Sequence, residues 1–361
     1  MRQSLIHIRL HIPYNMISDT DKTAQAVSPR IVFMGTPEFA CYCLQSLCEA
    51  GLPVCAVVTV PDKPVGRGQK VQASPVKTYA EAQGLPVLQP AKLKDPDFLA
   101  ALAAFEADLF IVVAFRMLPK EVWNMPPLGT FNLHASLLPR YRGAAPIQRA
   151  IWNGETETGI TTFLLDEHMD TGAILMQERM PITPDDNAGS LHDKLMTAGG
   201  PMVVATAKGL LEGRLNGRAQ TEMPDTPTEA ATALPVAPKI FKRDCYLDWR
   251  LPADRLLLQI RALSPYPAAI AWFSDPEKGI SIPFKIFEAR KDAIKRHNLL
   301  TTYQQGHFVT DGRHFLNIVC GAGESISITK LQIPGKKTLT IEAFLRGFCF
   351  PEAGSFFLPV E

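Results

Sequence analysis

The sequence predicts an α/β protein in which a doubly wound, mostly parallel sheet is followed by a small β-barrel. Three observations predict it. Short apolar runs alternate with helix-like stretches between residues 29 and 215, the pattern of a parallel sheet with helices on both faces. One of these runs, Pro53 to Val60, is Val-rich and continuous, as suits a strand buried on both faces. After a stretch rich in Pro, Thr and Ala, from Thr221 to Pro238, come one helix-like segment and several short strand-like runs, which suit a small barrel. A chain of 361 residues also corresponds to about two domains. The expected division is a disordered extension over 1–28, an α/β domain over 29–215, a linker over 216–238 and a barrel domain over 239–361.

The elements follow in order. Arg30 to Met34 is a short apolar strand. Gly35 turns the chain, Thr36 is placed to N-cap a helix and Pro37 suits its first position, with the helix running to about Glu49. The second strand, Pro53 to Val60, leads into a polar loop, Pro61 to Ala73, rich in Gly, Lys and Arg. Ser74-Pro75 restarts a helix by the same capping logic. Val87-Leu88 is a short strand, Asp95 to Phe105 a helix, and Asp108 to Ala114 and Thr130 to His134 further strands. Ile160 to Leu165 and Ala173 to Met180 are strands joined by a loop carrying Asp166 to Gly172. A long helix covers Ser190 to Glu212. Beyond the linker, Ala253 to Leu263 reads as helix, and Ile282–Phe287, Phe315–Val319 and Ile326–Leu331 as strands.

Composition narrows the function classes. No apolar run approaches the ~20 residues that span a bilayer, so no membrane partner is expected. The seven cysteines contain no C-x-x-C pair, and neither a disulfide framework nor a metal site is expected. The formal net charge is +1, but it is unevenly spread. From residue 236 onward there are 17 Lys and Arg against 12 Asp and Glu, whereas residues 1–235 hold 20 against 24. A basic second half fits a polyanionic partner and equally fits ordinary surface variation. Residues 1–28 make a poor secretory signal, since His7, Arg9 and His11 interrupt the stretch from Ser4 to Ile17. A disordered tail, or an over-extended start with Met16 as a later start, is expected there.

Ligands of doubly wound sheets lie beyond the carboxyl ends of the strands. The opening turn, M-G-T-P-E-F-A, has one glycine and lacks the dinucleotide fingerprint, which argues against nicotinamide chemistry. The strand end at Phe131 to Gly143 reads F-N-L-H-A-S-L-L-P-R-Y-R-G. Asn132 and His134 are two apart in a strand and so share a face. An amide beside an imidazole offers a donor to a developing oxyanion and a proton shuttle near neutral pH. Asp170, in a D-T-G loop, could orient the imidazole and stabilise its charged form. Taken alone, an Asn-x-His strand end is more readily a satisfied structural histidine, and D-T-G a common turn. No G-x-S-x-G elbow surrounds Ser136, so a serine nucleophile is not indicated.

The string N-x-H…S-L-L-P-x-Y-R-G with a downstream D-T-G resembles the folate-dependent formyltransferases. Further strings narrow the resemblance to the branch that acts on aminoacylated initiator tRNA: M-G-T-P-E-F-A at Met34–Ala40, P-D-K-P-x-G-R-G at Pro61–Gly68, S-P-V-K at Ser74–Lys77 and A-P-K-I-x-K-x-D from Ala237. The resemblance covers Arg30 to Leu345. It implies a formyltransferase-type sheet and an OB-like barrel behind it. It implies 10-formyltetrahydrofolate as formyl donor and, as acceptor, the α-amine of methionine on initiator tRNA. It implies catalytic positions for Asn132, His134 and Asp170, and a folate site lined by Ser136, Leu137, Leu138 and Pro139. Arg67, flanked by Lys63 and Lys70, would contact RNA, and the basic second domain would hold the tRNA body. A cytoplasmic monomer is expected. The alternatives are a sister formyltransferase acting on a small amine, a formyl-tetrahydrofolate hydrolase and a non-catalytic RNA-binding protein. Two departures stand out: Phe115-Arg116 replaces the family's frequent Tyr-Gly, and Pro-Tyr-Pro-Ala-Ala at Pro265–Ala269 replaces a more usual P-x-P-G-A. The aromatic end F-C-F-P-E-A-G-S-F-F-L has no account at this level.

Overall fold

Ile31 to Gly35 (β1) is a run of five residues without a charge, and every one of them is buried. Alternation splits it between two cores: Ile31 and Phe33 face one, Val32 and Met34 the other. A strand with two apolar faces needs cover on both sides, and the computed structural model, which describes residues 29–65, 70–223, 233–292 and 304–359, supplies it. In chain order the first part comprises α1 (Glu38–Glu49), β2 (Val54–Val58), β3 (Lys63–Val65), β4 (Lys70–Gln72), α2 (Pro75–Ala82) and β5 (Val87–Leu88). There follow α3 (Pro96–Ala103), β6 (Leu109–Val113), α4 (Lys120–Trp123), β7 (Thr130–His134), α5 (Pro146–Trp152), β8 (Glu157–Leu164), β9 (Ile174–Pro181) and α6 (Ala188–Leu211).

The sheet order is β5-β2-β1-β6-β7-β8-β9. The first five strands are parallel, and β8 and β9 extend them antiparallel. Helices α1, α2, α5 and α6 pack on one face, and α3 and α4 on the other. Gly199 and Gly200 let α6 approach α1 closely. A Cβ on Gly199 would meet Phe39 at 3.1 Å, and one on Gly200 would meet the Ser46 hydroxyl at 2.3 Å.

The second part comprises α7 (Ala253–Leu263), β10 (Ala269–Asp275), β11 (Ile280–Lys291), β12 (Phe308–Thr310), β13 (Leu316–Val319), β14 (Ser325–Gln332), β15 (Leu339–Thr340), α8 (Ile341–Leu345) and β16 (Ser355–Phe357). Its strands form an antiparallel sheet in the order β12-β13-β14-β11-β10-β16, with β15 on β14. The two ends approach each other, because Phe356 N–H donates to the Gly306 carbonyl at 2.8 Å just before β12. The sheet is therefore nearly closed into a barrel. The aromatic chain end is its closing strand, with Phe356 buried against Phe273, Phe284, Phe308 and Trp249.

Several local expectations shift. Thr36 does not cap α1. Pro37 occupies the N-cap in an extended conformation, so the helix starts one residue later and the Thr36 hydroxyl is buried without a hydrogen-bond partner among the described residues. The polar loop 61–73 carries a two-stranded hairpin, β3 with β4, pairing Lys63 with Gln72 and Pro64 with Val71. Helix α6 begins before Ser190, because Asn187 is its N-cap and accepts from Ser190 N–H at 3.0 Å. Ala268 takes a left-handed φ of 74°, the conformation that a glycine there would adopt freely. No described helix is long and apolar enough to cross a membrane. The expectations for residues 1–28 and for Arg67 lie outside the described residues, as does the middle of the segment 216–238.

Candidate active site

Strand β7 places the site. Phe131 and Leu133 point into the core beneath α1 and α6, which turns Thr130, Asn132 and His134 to the opposite face. His134 is 7% exposed and sits edge-on to Phe163 of β8. Asn132 is half-buried, and its side-chain amide has no hydrogen-bond partner among the described residues. It is therefore an open donor beside a held imidazole.

The imidazole is held by two groups. His134 Nε2 lies 2.9 Å from the Tyr141 carbonyl oxygen. A carbonyl can only accept, so Nε2 carries a proton and donates. Nδ1 then faces Asp170 Oδ2 at 3.9 Å, within ion-pair reach but too far for a direct hydrogen bond. A proton arriving on Nδ1 would be stabilised by this carboxylate, and in the neutral ring Nδ1 is the free acceptor.

Asp170 arrives by an indirect path. The loop after β8 leaves the sheet beside Thr130, where Leu165 N–H donates to the Thr130 carbonyl at 2.8 Å. It then doubles back along β7 to His134. Asp170 itself adopts a left-handed φ of 56°, and Gly143 N–H donates to its Oδ2 at 2.9 Å. Thr171 Oγ1 and His168 N–H both donate to Asp166, which closes the loop on itself. His168 is exposed and takes no part in the centre.

The arm after β7 carries the segment Ser136–Pro139. Ser136 is fully buried and its hydroxyl donates to the Arg140 carbonyl at 2.7 Å. Leu138 packs with Phe163 and Ile174, and Pro139 is buried beside it. Leu137 is half-buried and lies against Gly159, where a Cβ would meet Leu137 Cδ2 at 2.5 Å. Thr161 Oγ1 donates to the Ser136 carbonyl, and Gln177 Nε2 to the Leu138 carbonyl at 2.7 Å. The arm is thus fixed mainly through its own carbonyls. Arg116 is partly buried. Its guanidinium donates to the Pro90 and Ala91 carbonyls at 2.8 and 3.1 Å and stacks over Phe115.

The hairpin β3–β4 is tied at its base. Asp62 accepts from Lys77 at 2.6 Å and from Gln89 at 2.7 Å, and these two donors hold its carboxyl below the usual carboxylate range. Thr59 and Ser74 share a hydrogen bond of 2.8 Å across the two stems. Lys63 is exposed on β3. Lys70 stands in β4, opposite Val65.

The sequence had joined Asn132, His134 and Asp170 through spacing and resemblance. The structure brings His134 and Asp170 together and puts Asn132 on the same strand face. It adds the Tyr141 carbonyl and the Gly143 N–H, which lay inside the Y-R-G string without an assigned role.

Comparison with known proteins bears on the fold and the family. Among solved structures, the N-formyltransferase from Helicobacter canadensis, in complex with folinic acid and dTDP-3-aminofucose, superposes with a TM-score of 0.58 over 83% of this chain and 98% of its own. At 18% identity that likeness is one of fold. Residues 29–206 match the model of the formyl transferase family, and residues 239–349 match that of the formyl transferase C-terminal domain. A methionyl-tRNA formyltransferase of Bacteroides fragilis is 52% identical over 324 residues, 90% of this chain and 96% of its own. One from Flavobacterium johnsoniae is 46% identical over 323 residues, 90% and 97% of the two chains. The chain therefore belongs to the formyl transferase family, within the branch of the methionyl-tRNA formyltransferases.

Proposed function

We propose that the chain transfers the formyl group of 10-formyltetrahydrofolate to the α-amine of methionine esterified to initiator tRNA, with Asn132, His134 and Asp170 as its reacting centre. One observation carries the chemistry: His134 Nε2 is committed to the Tyr141 carbonyl, so Nδ1 confronts the Asp170 carboxylate beside the open amide of Asn132. The choice of acceptor rests on the relatives that bear the methionyl-tRNA formyltransferase name and share about half of their residues with nearly the whole chain.

The chemistry follows from the groups. The neutral amine attacks the formyl carbon, forming a C–N bond and a tetrahedral oxyanion. The Asn132 amide donates to that oxygen, and protonated His134 Nδ1–H is the second donor. Asp170 stabilises the imidazolium across 3.9 Å. When the oxyanion collapses, the bond from carbon to the folate nitrogen breaks, the leaving nitrogen takes the proton from His134 Nδ1, and the attacking nitrogen passes its extra proton to the freed Nδ1, which restores the imidazolium. Charge on the acceptor is neutral before and after, and no covalent enzyme intermediate is needed.

Ser136, Leu137, Leu138 and Pro139 form the proposed wall of the folate site, chiefly through main chain and the Leu137 side chain. Lys63, Arg67 and Lys70 on the hairpin segment are the proposed RNA contacts, with the barrel holding the tRNA body. The setting is the cytoplasm, where charged tRNA is made, and the protein acts as a monomer.

The test is turnover of Asn132→Ala and His134→Ala with methionyl-initiator tRNA. Each removes one oxyanion donor, and kcat is expected to fall by about 10²–10³. The tRNA affinity, measured by filter binding in the same samples, is expected to hold. Unchanged kcat in both variants would remove the assignment.

A further inference from the structure

We infer that Gln220, a residue of the interdomain segment, positions the proposed catalytic carboxylate by clamping the main chain of the Asp170 loop to Arg142. The inference rests on Asn132, His134 and Asp170 being the reacting centre. Gln220 is 4% exposed and starts a single 3-10 turn after α6. Its Nε2 donates to the carbonyls of Asp170 and Gly172, both at 2.9 Å. Its Oε1 accepts from Arg142 Nε at 3.0 Å and from Nη2 at 2.5 Å. One planar carboxamide thus supplies two donors on one side and one acceptor with two lone pairs on the other. Among the genetically encoded side chains of this length, only glutamine does both without charge.

The loop has a specific need for such a clamp. Asp170 sits at φ 56°, a left-handed conformation that is uncommon for a non-glycine residue, although Asp adopts it more readily than most. Its carboxylate is gripped by Gly143 N–H, and its main chain by Gln220. Gly143 and Arg142 are neighbours, so one arm grips both ends of the same residue. Gly172 backs the loop from behind, since a Cβ there would lie 1.7 Å from the Leu164 carbonyl.

The arm is in turn bound to the other end of the interdomain segment. Tyr141 N–H donates to the Pro235 carbonyl at 2.6 Å, Ala237 N–H to Arg142 at 2.8 Å, and Ala145 N–H to Ala237 at 3.1 Å. On the near side, Arg218 and Ile174 exchange two bonds of 2.8 Å. Both described flanks of the segment therefore end on the elements that carry Asp170 and the His134 acceptor. Gln220 converts this attachment into a fixed distance between the carboxylate and the imidazole. Its contribution belongs to the chemical step, because these four bonds end on the Asp170 loop and on Arg142.

The experiment uses the full-length chain with saturating 10-formyltetrahydrofolate and methionyl-initiator tRNA. Gln220→Leu is expected to lower kcat by about 10²-fold, the effect of misplacing a reacting group by an ångström. Both KM values are expected to stay within about twofold, since ground-state binding is untouched. Gln220→Glu keeps the acceptor for Arg142 but can donate to a carbonyl only when its carboxyl is protonated. The ratio of its kcat to that of the parent, taken at each pH, is therefore expected to rise as pH falls. A Gln220→Leu variant that melts like the parent and keeps kcat within about threefold would overturn the inference. If Gln220→Leu does not fold, the Gln220→Glu ratio decides: a rise towards low pH supports the clamp, and a flat ratio overturns it. Retained turnover in His134→Ala and Asp170→Asn would instead remove the site assignment on which the clamp depends.

Discussion

At His134 the two ring nitrogens are told apart by their neighbours. The pairing with Asn132 was legible, because period-two alternation puts residues 132 and 134 on one face. The tautomer was not. It depends on the Tyr141 carbonyl, which reaches Nε2 because Tyr141 turns at φ 60°, a backbone state that no residue type there announces. Gln220 was illegible for a different reason: it contacts Asp170 across 50 positions, and neither its type nor its spacing marks it. Asp186 is a second residue whose surroundings set its charge. It is 3% exposed, and burial works against its ionised form. Hydrogen bonds from Lys194, the Thr183 N–H and hydroxyl and the Ser190 hydroxyl together outweigh burial and hold the carboxyl well below the usual range. Asp186→Ala is expected to cost about 2–3 kcal/mol in denaturant unfolding near neutral pH, since it leaves those donors without a charged partner. A depressed folded pKa contributes stability that is complete above the unfolded value of about 3.9 and is lost as pH falls towards the folded one. The difference between parent and variant is therefore expected to narrow below about pH 4. A constant gap across that range would contradict the assignment.

Among elements, those with local signals were readable and those made by distant partners were not. β1, β2 and β6 are continuous apolar runs, β7 alternates polar and apolar residues, and α2 and α3 begin with a capping side chain followed by Pro, so these elements appear near their expected positions. Helix α5 begins at Pro146 behind Ala145, which offers no side-chain cap and so no local start signal. The hairpin β3–β4 hid within a segment of charged and glycine residues, because its pairing is only three residues long and half of those residues are Lys or Gln. β16 is three residues long and exists only because β10 and Gly306 receive it. The aromatic chain end makes sense once that seam is seen: Phe348, Phe350 and Phe356 cap the barrel core. Phe356→Ala is expected to cost about 3–5 kcal/mol in denaturant unfolding, the range for a buried aromatic truncated to a methyl. A cost below about 1 kcal/mol would mean that the seam does not hold the barrel.

Over the whole molecule, two hydrophobic cores meet where Trp152 of α5 touches both. Arg261 of α7 donates to the Thr183 and Asp186 carbonyls at 2.8 Å, which joins the barrel side to the loop before α6. Arg149 reaches the Pro238 carbonyl and approaches Asp244, at the start of the second part. The positive charge concentrated beyond residue 236 thus stands on a unit docked against the sheet that carries the site. That arrangement suits an acceptor with a polyanionic body and a reacting amine at one end. A formyltransferase acting on a small amine would make no demand on that charge. The acceptor is therefore the point to measure. The purified chain would receive formyl-labelled 10-formyltetrahydrofolate together with methionyl-initiator tRNA and a set of small amines, at low and raised salt. Label is expected on the methionyl α-amine, with KM for tRNA climbing steeply with salt, each neutralised phosphate adding about 0.9 to the logarithmic slope. Label found only on small amines, or released as formate at the same rate without tRNA, would contradict it.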